Sequence, residues 1–171
     1  YTKILETSGG PEWARWFTGG RLNLATACVD RWASATPETP AVIAEKEDGS
    51  TTQLTFRQLA DAVARLAGGL RARGVEPGDA VGVFLPMSAE AVISLLAIAR
   101  LGAIFIPIFS GYGAEAVASR LIDPRPKVLI CADGFSRRGS IVAMKEVADE
   151  AVEIAGGLDA EGRGHHAPPP A

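Results

Sequence analysis

The feature that most constrains the fold is a regular alternation of strand-like and helix-like segments in the middle of the chain. Three continuous apolar runs are typical of buried strands: Ala80 to Leu85, Ala103 to Phe109 and Lys127 to Ala132. The stretches between them have helical spacing, one capped by Ser88 and running to Leu101, the other from Ala114 to Ile122. This order predicts an α/β fold, a mostly parallel sheet with helices on both faces.

The segment before this alternation predicts a hairpin and a helix. Ala41 to Glu45 and Gln53 to Thr55 read as strands joined at Asp48-Gly49. Thr55 with Gln58 forms a capping-box pattern, and apolar residues recur at helical spacing until Gly74. After the last strand, Ile141 to Ala155 predicts one more amphipathic helix.

Three regions are expected along the chain. Residues 1–40 predict an irregular arm whose tryptophans anchor it to the body, and residues 41–155 predict the α/β domain. Residues 156–171 are rich in Gly, Pro and His, and we expect them to be disordered. The chain opens with Tyr1 rather than a methionine, which suggests that its natural start is missing.

Composition argues against several function classes. A net charge of -3 and a pI near 5.4 give no positive electrostatic potential that would attract the phosphates of a nucleic acid. The apolar runs are far shorter than the roughly 20 residues that cross a bilayer, and no leader-like segment opens the chain, so a cytoplasmic protein is expected. Cys28 and Cys131 are isolated, which favours reduced thiols. His165-His166 offers at most two ligands, so no metal site is predicted.

The loops after the strands are the candidate functional edge, because ligands bind beyond the carboxyl ends of parallel strands. Within this edge, Gly111 and Gly113 follow a strand and open a helix, and Asp133 ends the next strand. That pattern could bind a dinucleotide, with an acid on the ribose. Pro107 argues against it, since proline is expected to interrupt the first strand. The dinucleotide reading stays open as the alternative.

A pair of arginines marks a second candidate site on the same edge. Arg137 and Arg138 lie in the loop from Gly134 to Gly139, between a strand and a helix. Backbone donors and guanidinium groups could together receive a phosphate there. Paired surface arginines are equally often solvent-exposed without a role, so both interpretations remain.

Several blocks together resemble a known family. The arm carries Trp16-Phe17-Thr18-Gly19-Gly20-Arg21-Leu22-Asn23 and Cys28-Val29-Asp30-Arg31. The body adds Leu54 to Leu59, Gly74 to Val81, Leu85-Pro86-Met87 with Glu90-Ala91, Ala99 to Ala103 and Lys127 to Ile130. In this order and spacing they resemble AMP-forming acyl-CoA synthetases of the acetyl-CoA synthetase type, from about Trp13 to Ala151.

The resemblance implies the opening portion of the large N-terminal domain of the adenylate-forming ligase fold. Such enzymes activate a carboxylic acid with ATP and Mg²⁺ and pass the acyl group to CoA. By the same resemblance, Phe109, Ser110 and Gly111 lie against the nucleotide end of CoA. The loop of Arg137, Arg138, Gly139 and Ser140 meets its 3′-phosphate. The family often has a second basic residue where Ser140 stands, and Arg138 is the candidate substitute.

The resemblance also implies what is missing. The phosphate loop ending in Pro-Lys, the Tyr-x-x-Thr-Glu adenine motif and the C-terminal catalytic lysine have no counterpart in the 171 residues. We therefore predict no catalytic residue in this chain and no activity of the chain alone. The departure after Gly156 suggests a truncated or frame-shifted gene model. A non-catalytic relic domain is a further alternative, and neither the oligomeric state nor the acyl preference can be read.

Overall fold

The structure is a computed structural model that describes residues 1–157, so the predicted tail lies outside the described residues from residue 158 onward. The strands are β1 Lys3–Glu6, β2 Arg15–Thr18, β3 Pro40–Glu45, β4 Thr51–Thr55, β5 Ala80–Phe84, β6 Ile104–Ile108, β7 Val128–Cys131, β8 Phe135–Arg137 and β9 Ser140–Val142. The α-helices are α1 Arg31–Ala35, α2 Phe56–Ala72, α3 Ala89–Leu101, α4 Ala114–Ile122 and α5 Met144–Ile154.

A three-stranded parallel sheet forms the centre of the fold. Its order is β6-β5-β7, and β5 is buried along its whole length. The predicted α/β class and parallel sheet are thus confirmed. β6 runs straight through Pro107, which is in register with Val83, so the prediction that proline interrupts this strand was wrong. Within the described residues β6 is an edge strand, where a residue without an N–H is tolerated.

The two faces of the sheet are covered by different helices. Val81 and Val83 point into a core shared with α2 and α3. Phe84, on the alternate face, packs into a second core shared with α4 and α5. Helices therefore lie on both faces, as the continuous apolar strands predict.

The predicted helix starts had different outcomes. At α2 the Thr55 hydroxyl accepts the Gln58 N–H at 3.3 Å, and the Gln58 side chain accepts the Thr55 N–H at 2.9 Å, so the capping box is confirmed. Ser88 occupies the position before α3, but its side chain makes no capping hydrogen bond. Gly102 ends α3 with a φ of +71°, a conformation that favours glycine.

The segment between β7 and α5 differs from the prediction. Residues expected to form a loop and the start of a helix instead form the β8–β9 hairpin, in which Ser136 pairs with Ile141. The helix consequently begins at Met144 rather than at Ile141. Ile141 is 80% exposed, which shows that its apolar side chain does not belong to a buried helical face.

The arm is ordered by an antiparallel hairpin, β1 with β2, rather than being wholly irregular. Trp13 and Trp16 are 71% and 63% exposed, so the prediction that tryptophans anchor the arm was wrong for these two. Trp32 does contact the body, because its ring stacks on Phe56 of α2 with centroids 6.1 Å apart. The buried residues of the arm are instead the small Ala25 and Val29, both at 0% exposure. Val29 joins the core beneath α2 and α3.

Polar contacts complete the attachment of the arm to α3. The Asn23 amide donates to the carbonyls of Ala99 and Arg100, at 3.3 and 3.1 Å. These carbonyls lie in the last turn of α3, where the helix leaves carbonyls without an intrahelical donor. The Ala99 carbonyl also accepts the Gly102 N–H at 3.1 Å, so Asn23 matters most for Arg100. Asp30 forms an ion pair with the Arg100 side chain. The arm thus caps the end of a core helix.

We expect Asn23→Ala to lower the free energy of unfolding by about 1–3 kcal/mol, because the Arg100 carbonyl loses its donor and the Ala99 carbonyl keeps only the Gly102 N–H. Chemical denaturation monitored by circular dichroism measures the change. Leu22→Ala is the matched control: its side chain is 79% exposed, so the change should stay within about 0.5 kcal/mol. Equal effects of the two substitutions would contradict the assigned role of Asn23.

Candidate functional site

The candidate site is built from two loops beyond the carboxyl ends of the sheet. The loop from β6 to α4 carries Phe109, Ser110 and Gly111, and the β8–β9 hairpin carries Arg137. A Cβ atom placed on Gly111 would lie 2.6 Å from Arg137 Nη1 and 2.7 Å from Phe109 Cε1. Three of the predicted site residues are therefore in immediate contact. A side chain at position 111 would force the Arg137 and Phe109 side chains to move from this arrangement.

Phe109 presents an aromatic surface to solvent. Its side chain is 58% exposed, and Arg137 holds its guanidinium carbon 5.9 Å from the ring centroid. Tyr112 also contacts the Phe109 ring, in an edge-to-face arrangement with centroids 5.5 Å apart. The Tyr112 N–H donates to the Phe109 carbonyl at 3.1 Å, which closes the loop as a turn. The result is a flat apolar ring beside a cation.

The sequence interpretation missed two residues that support this ring. Arg120, on α4, places its guanidinium carbon 4.3 Å from the Tyr112 ring centroid. Its Nη2 also donates to the Tyr112 hydroxyl at 3.2 Å. The sequence spacing could have indicated this contact. Tyr112 lies two residues before α4, and the eight positions from Tyr112 to Arg120 correspond to about two helical turns. Phe109 is thus held through Tyr112 by a helix that packs on the sheet.

The predicted phosphate loop is the tip of the β8–β9 hairpin. Arg137 and Ser140 pair across it, leaving Arg138 and Gly139 as the two turn residues. Their φ angles are +53° and +76°, as a type I′ turn requires. The Arg138 N–H points to the β3–β4 connection and donates to Glu47 Oε1 at 2.5 Å. All four residues of the predicted loop are exposed.

The three residues of the dinucleotide alternative, Gly111, Gly113 and Asp133, differ in how closely other atoms surround them. A Cβ on Gly113 would meet no atom within 4 Å, and its φ of -80° suits any residue. Asp133 accepts the Lys145 N–H with its backbone carbonyl, at the start of α5. Burial raises the pKa of the nearby Cys131 thiol, and the charge of Asp133 adds a smaller contribution. Of the two glycines, only Gly111 has side chains close enough to be displaced by a Cβ atom.

The opposite edge of the sheet holds an open cavity of about 340 Å³. Asp79, Arg125 and Lys127 line it, and Lys127 pairs with Asp79 at 2.8 Å. The hydrogen bond from Lys127 is the main reason that the pKa of Asp79 is lowered. Lys127 and Asp79 therefore neutralise each other within this cavity.

Two further absences hold for residues 1–157. No three His, Cys, Asp or Glu side chains come together in a way that could hold a metal ion. None of the helices in this range is long and apolar enough to span a bilayer.

Comparison with known proteins identifies the family. Residues 29–167 match the family model described as AMP-binding enzyme, which is more than half of the chain. The chain belongs to the AMP-binding enzyme family. Together with the relatives and the solved structure that follow, this match confirms the resemblance to acyl-CoA synthetases.

Relatives of this AMP-binding chain carry consistent names. It is 43% identical over 156 residues to a propionate–CoA ligase of Escherichia coli (strain K12), covering 91% of this chain and 25% of the relative. It is 41% identical over 151 residues to acetyl-coenzyme A synthetase 2 of Saccharomyces cerevisiae, covering 88% and 22%. The solved structure of acetoacetyl-CoA synthetase from Streptomyces lividans superposes with a TM-score of 0.80 at 34% identity, covering 90% and 23%.

The extent of these matches defines what the chain shares with its relatives. The chain spans about a quarter of the length of the curated proteins it matches. At a TM-score of 0.80 the α/β architecture is that of the acetoacetyl-CoA synthetase, which confirms the predicted adenylate-forming fold. The residues of the Phe109 and Arg137 cluster belong to this AMP-binding segment.

Proposed function

We propose that this chain is the CoA-binding part of an AMP-forming acyl-CoA synthetase, which converts a carboxylate, ATP and CoA to acyl-CoA, AMP and pyrophosphate. One observation carries the proposal: Phe109, Gly111 and Arg137 meet at the carboxyl edge of the sheet, in a space that a single Cβ atom would fill. Propionate–CoA ligase and acetyl-coenzyme A synthetase 2 among the relatives support the same reaction class.

The residues present suit the nucleotide end of CoA. The exposed Phe109 ring offers a face on which adenine can stack. The guanidinium groups of Arg137 and Arg138 are planar donors suited to a phosphate dianion. Gly111 allows close backbone approach, and Ser110, Gly139 and Ser140 add backbone or hydroxyl donors at the same edge. We propose these seven residues as a partial CoA site.

The other substrates require groups outside this set. ATP and Mg²⁺ are the cofactors of the proposed reaction, but residues 1–157 bring together no cluster of metal-binding side chains. The phosphate-loop and adenine motifs named above are also absent from the 171 residues. We therefore propose that the chain alone forms no acyl-adenylate. Its partners are small molecules rather than nucleic acid, and its location is the cytoplasm.

The domain boundaries are part of the same proposal. Residues 1–40 form the arm and residues 41–155 form a partial α/β domain. The attachment of Asn23 to the end of α3 supports treating arm and domain as one cooperative unit. A single unfolding transition, seen by both tryptophan fluorescence and circular dichroism, would agree with that unit.

Isothermal titration of the purified chain with CoA, 3′-dephospho-CoA, ATP and NAD tests the function. We expect CoA to bind at least about tenfold more tightly than 3′-dephospho-CoA, because the arginines lose their phosphate partner. ATP-pyrophosphate exchange with acetate or propionate should be undetectable. NAD binding tighter than CoA would favour the dinucleotide alternative, and a cooperatively melting chain without nucleotide affinity would indicate a relic domain.

A further inference from the structure

A carboxylate of this chain already occupies the turn that is proposed to bind phosphate. Glu47 Oε1 accepts the Arg138 N–H at 2.5 Å, although the two residues are 91 positions apart. Glu47 lies in the short connection between β3 and β4, at the tip of a second hairpin. The contact therefore joins the tips of two independent hairpins at an exposed position.

The hairpin that carries Glu47 is firmly closed. Lys46 donates its N–H to the Ser50 carbonyl at 2.8 Å, and Gly49 donates to the Lys46 carbonyl at 2.9 Å. The Asp48 carboxylate accepts the Ser50 N–H at 2.9 Å, so its hydrogen bond lies within the hairpin. Glu47 is the carboxylate of this tip that reaches across to the β8–β9 turn.

The β8–β9 turn has the properties of an anion receptor. Its N–H groups are fixed by the left-handed conformations of Arg138 and Gly139, and backbone donors in such turns form anion-binding concavities. Arg137 and Arg138 add two positive charges. A carboxylate and a phosphate would use the same N–H, so they cannot both occupy it.

We propose that Glu47 is a specificity-determining residue, an internal competitor that a ligand phosphate must displace from the Arg138 N–H. A phosphate dianion has more charge and more acceptor oxygens than a carboxylate, so it can replace Glu47 where a weaker anion cannot. Glu47 thereby sets how tightly the turn holds a 3′-phosphate. The inference rests on the proposed function, since it assumes that the phosphate of CoA reaches this turn.

Titration of variants of the full chain with CoA and with 3′-dephospho-CoA tests the inference. Glu47→Gln removes the charge while keeping an acceptor oxygen, and Glu47→Ala removes both. We expect either variant to bind CoA roughly two- to fivefold more tightly, the range for one exposed charge interaction. Affinity for 3′-dephospho-CoA should stay unchanged. Glu45→Gln, the same charge change in β3, is the matched control and should alter neither affinity.

Each outcome decides between the two proposals. If the wild-type chain binds CoA but Glu47→Gln leaves its affinity unchanged or weaker, Glu47 is not a competitor, and the proposed function stands. If Glu45→Gln tightened CoA binding by the same factor, the effect would come from the overall negative charge of the chain. That result would overturn the inference. If no variant binds CoA, both proposals fail. CoA binding that is detectable only in the Glu47 variants would support the competitor role directly.

Discussion

Phe84→Ala is expected to lower the free energy of unfolding by about 3–5 kcal/mol, the cost of removing a buried aromatic side chain. Phe84 is fully buried at the carboxyl end of β5, in register with Ile108 and Cys131. Its core contains residues from both α4 and α5: Val117, Ala118, Leu121, Met144, Ala148 and Ala151. Since a whole domain is stable by only about 5–15 kcal/mol, this loss is large.

Ile104→Ala is the matched comparison, because Ile104 begins β6 in the same sheet but is 51% exposed. We expect it to cost clearly less, about 1 kcal/mol or below, since little apolar area is lost. Urea denaturation followed by far-ultraviolet circular dichroism measures both variants. Similar losses would mean that α4 and α5 do not pack on β5 as described. The same packing fixes the N-terminal end of α4, and the loop that contains Phe109 leads into that end.

The central α/β alternation was readable from the sequence because its strands are buried on both faces. A strand such as β5 is apolar at every position, and the glycine after α3 marks the helix end directly. Local hydrogen bonding also determined the start of α2, where Thr55 and Gln58 satisfy each other. These features depend on neighbouring residues alone.

The hairpins and the arm could not be read in the same way. β8 and β9 have three residues each, too few for a period-two pattern, and Ile141 resembled the start of an amphipathic helix. Attachment of the arm depends on Asn23 and Val29 meeting helices far along the chain. Tryptophan size favoured Trp13 and Trp16 as anchors, but both are exposed, whereas the small Ala25 and Val29 are buried.

In the candidate site, too, some features could be predicted from the sequence and others only from the tertiary structure. The family resemblance assigned Phe109 and Arg137 to the same end of CoA without stating a contact, and the structure brings these side chains together around Gly111. Periodicity placed each on the same sheet edge without implying contact. The contact of Glu47 with Arg138 joins the tips of two hairpins and has no local signal at all. Only tertiary structure reveals such a pair.

Gly111→Ala is expected to weaken CoA binding by at least about tenfold while leaving the melting temperature nearly unchanged. The new methyl group would lie 2.6 Å from Arg137 Nη1 and 2.7 Å from Phe109 Cε1, so both side chains must move. Both are exposed, so they can move without opening the core. The substitution therefore disturbs the site rather than the fold.

Gly113→Ala separates the CoA proposal from the dinucleotide alternative. A methyl group at Gly113 meets no atom within 4 Å and needs no unusual φ, so CoA affinity should fall less than threefold. A dinucleotide fingerprint needs both glycines for backbone approach to a pyrophosphate, so NAD affinity would then fall with either substitution. Isothermal titration of Gly111→Ala and Gly113→Ala with CoA and with NAD measures which substitution weakens which ligand. Equal losses of CoA affinity would contradict the contact between Gly111, Phe109 and Arg137 as the basis of binding.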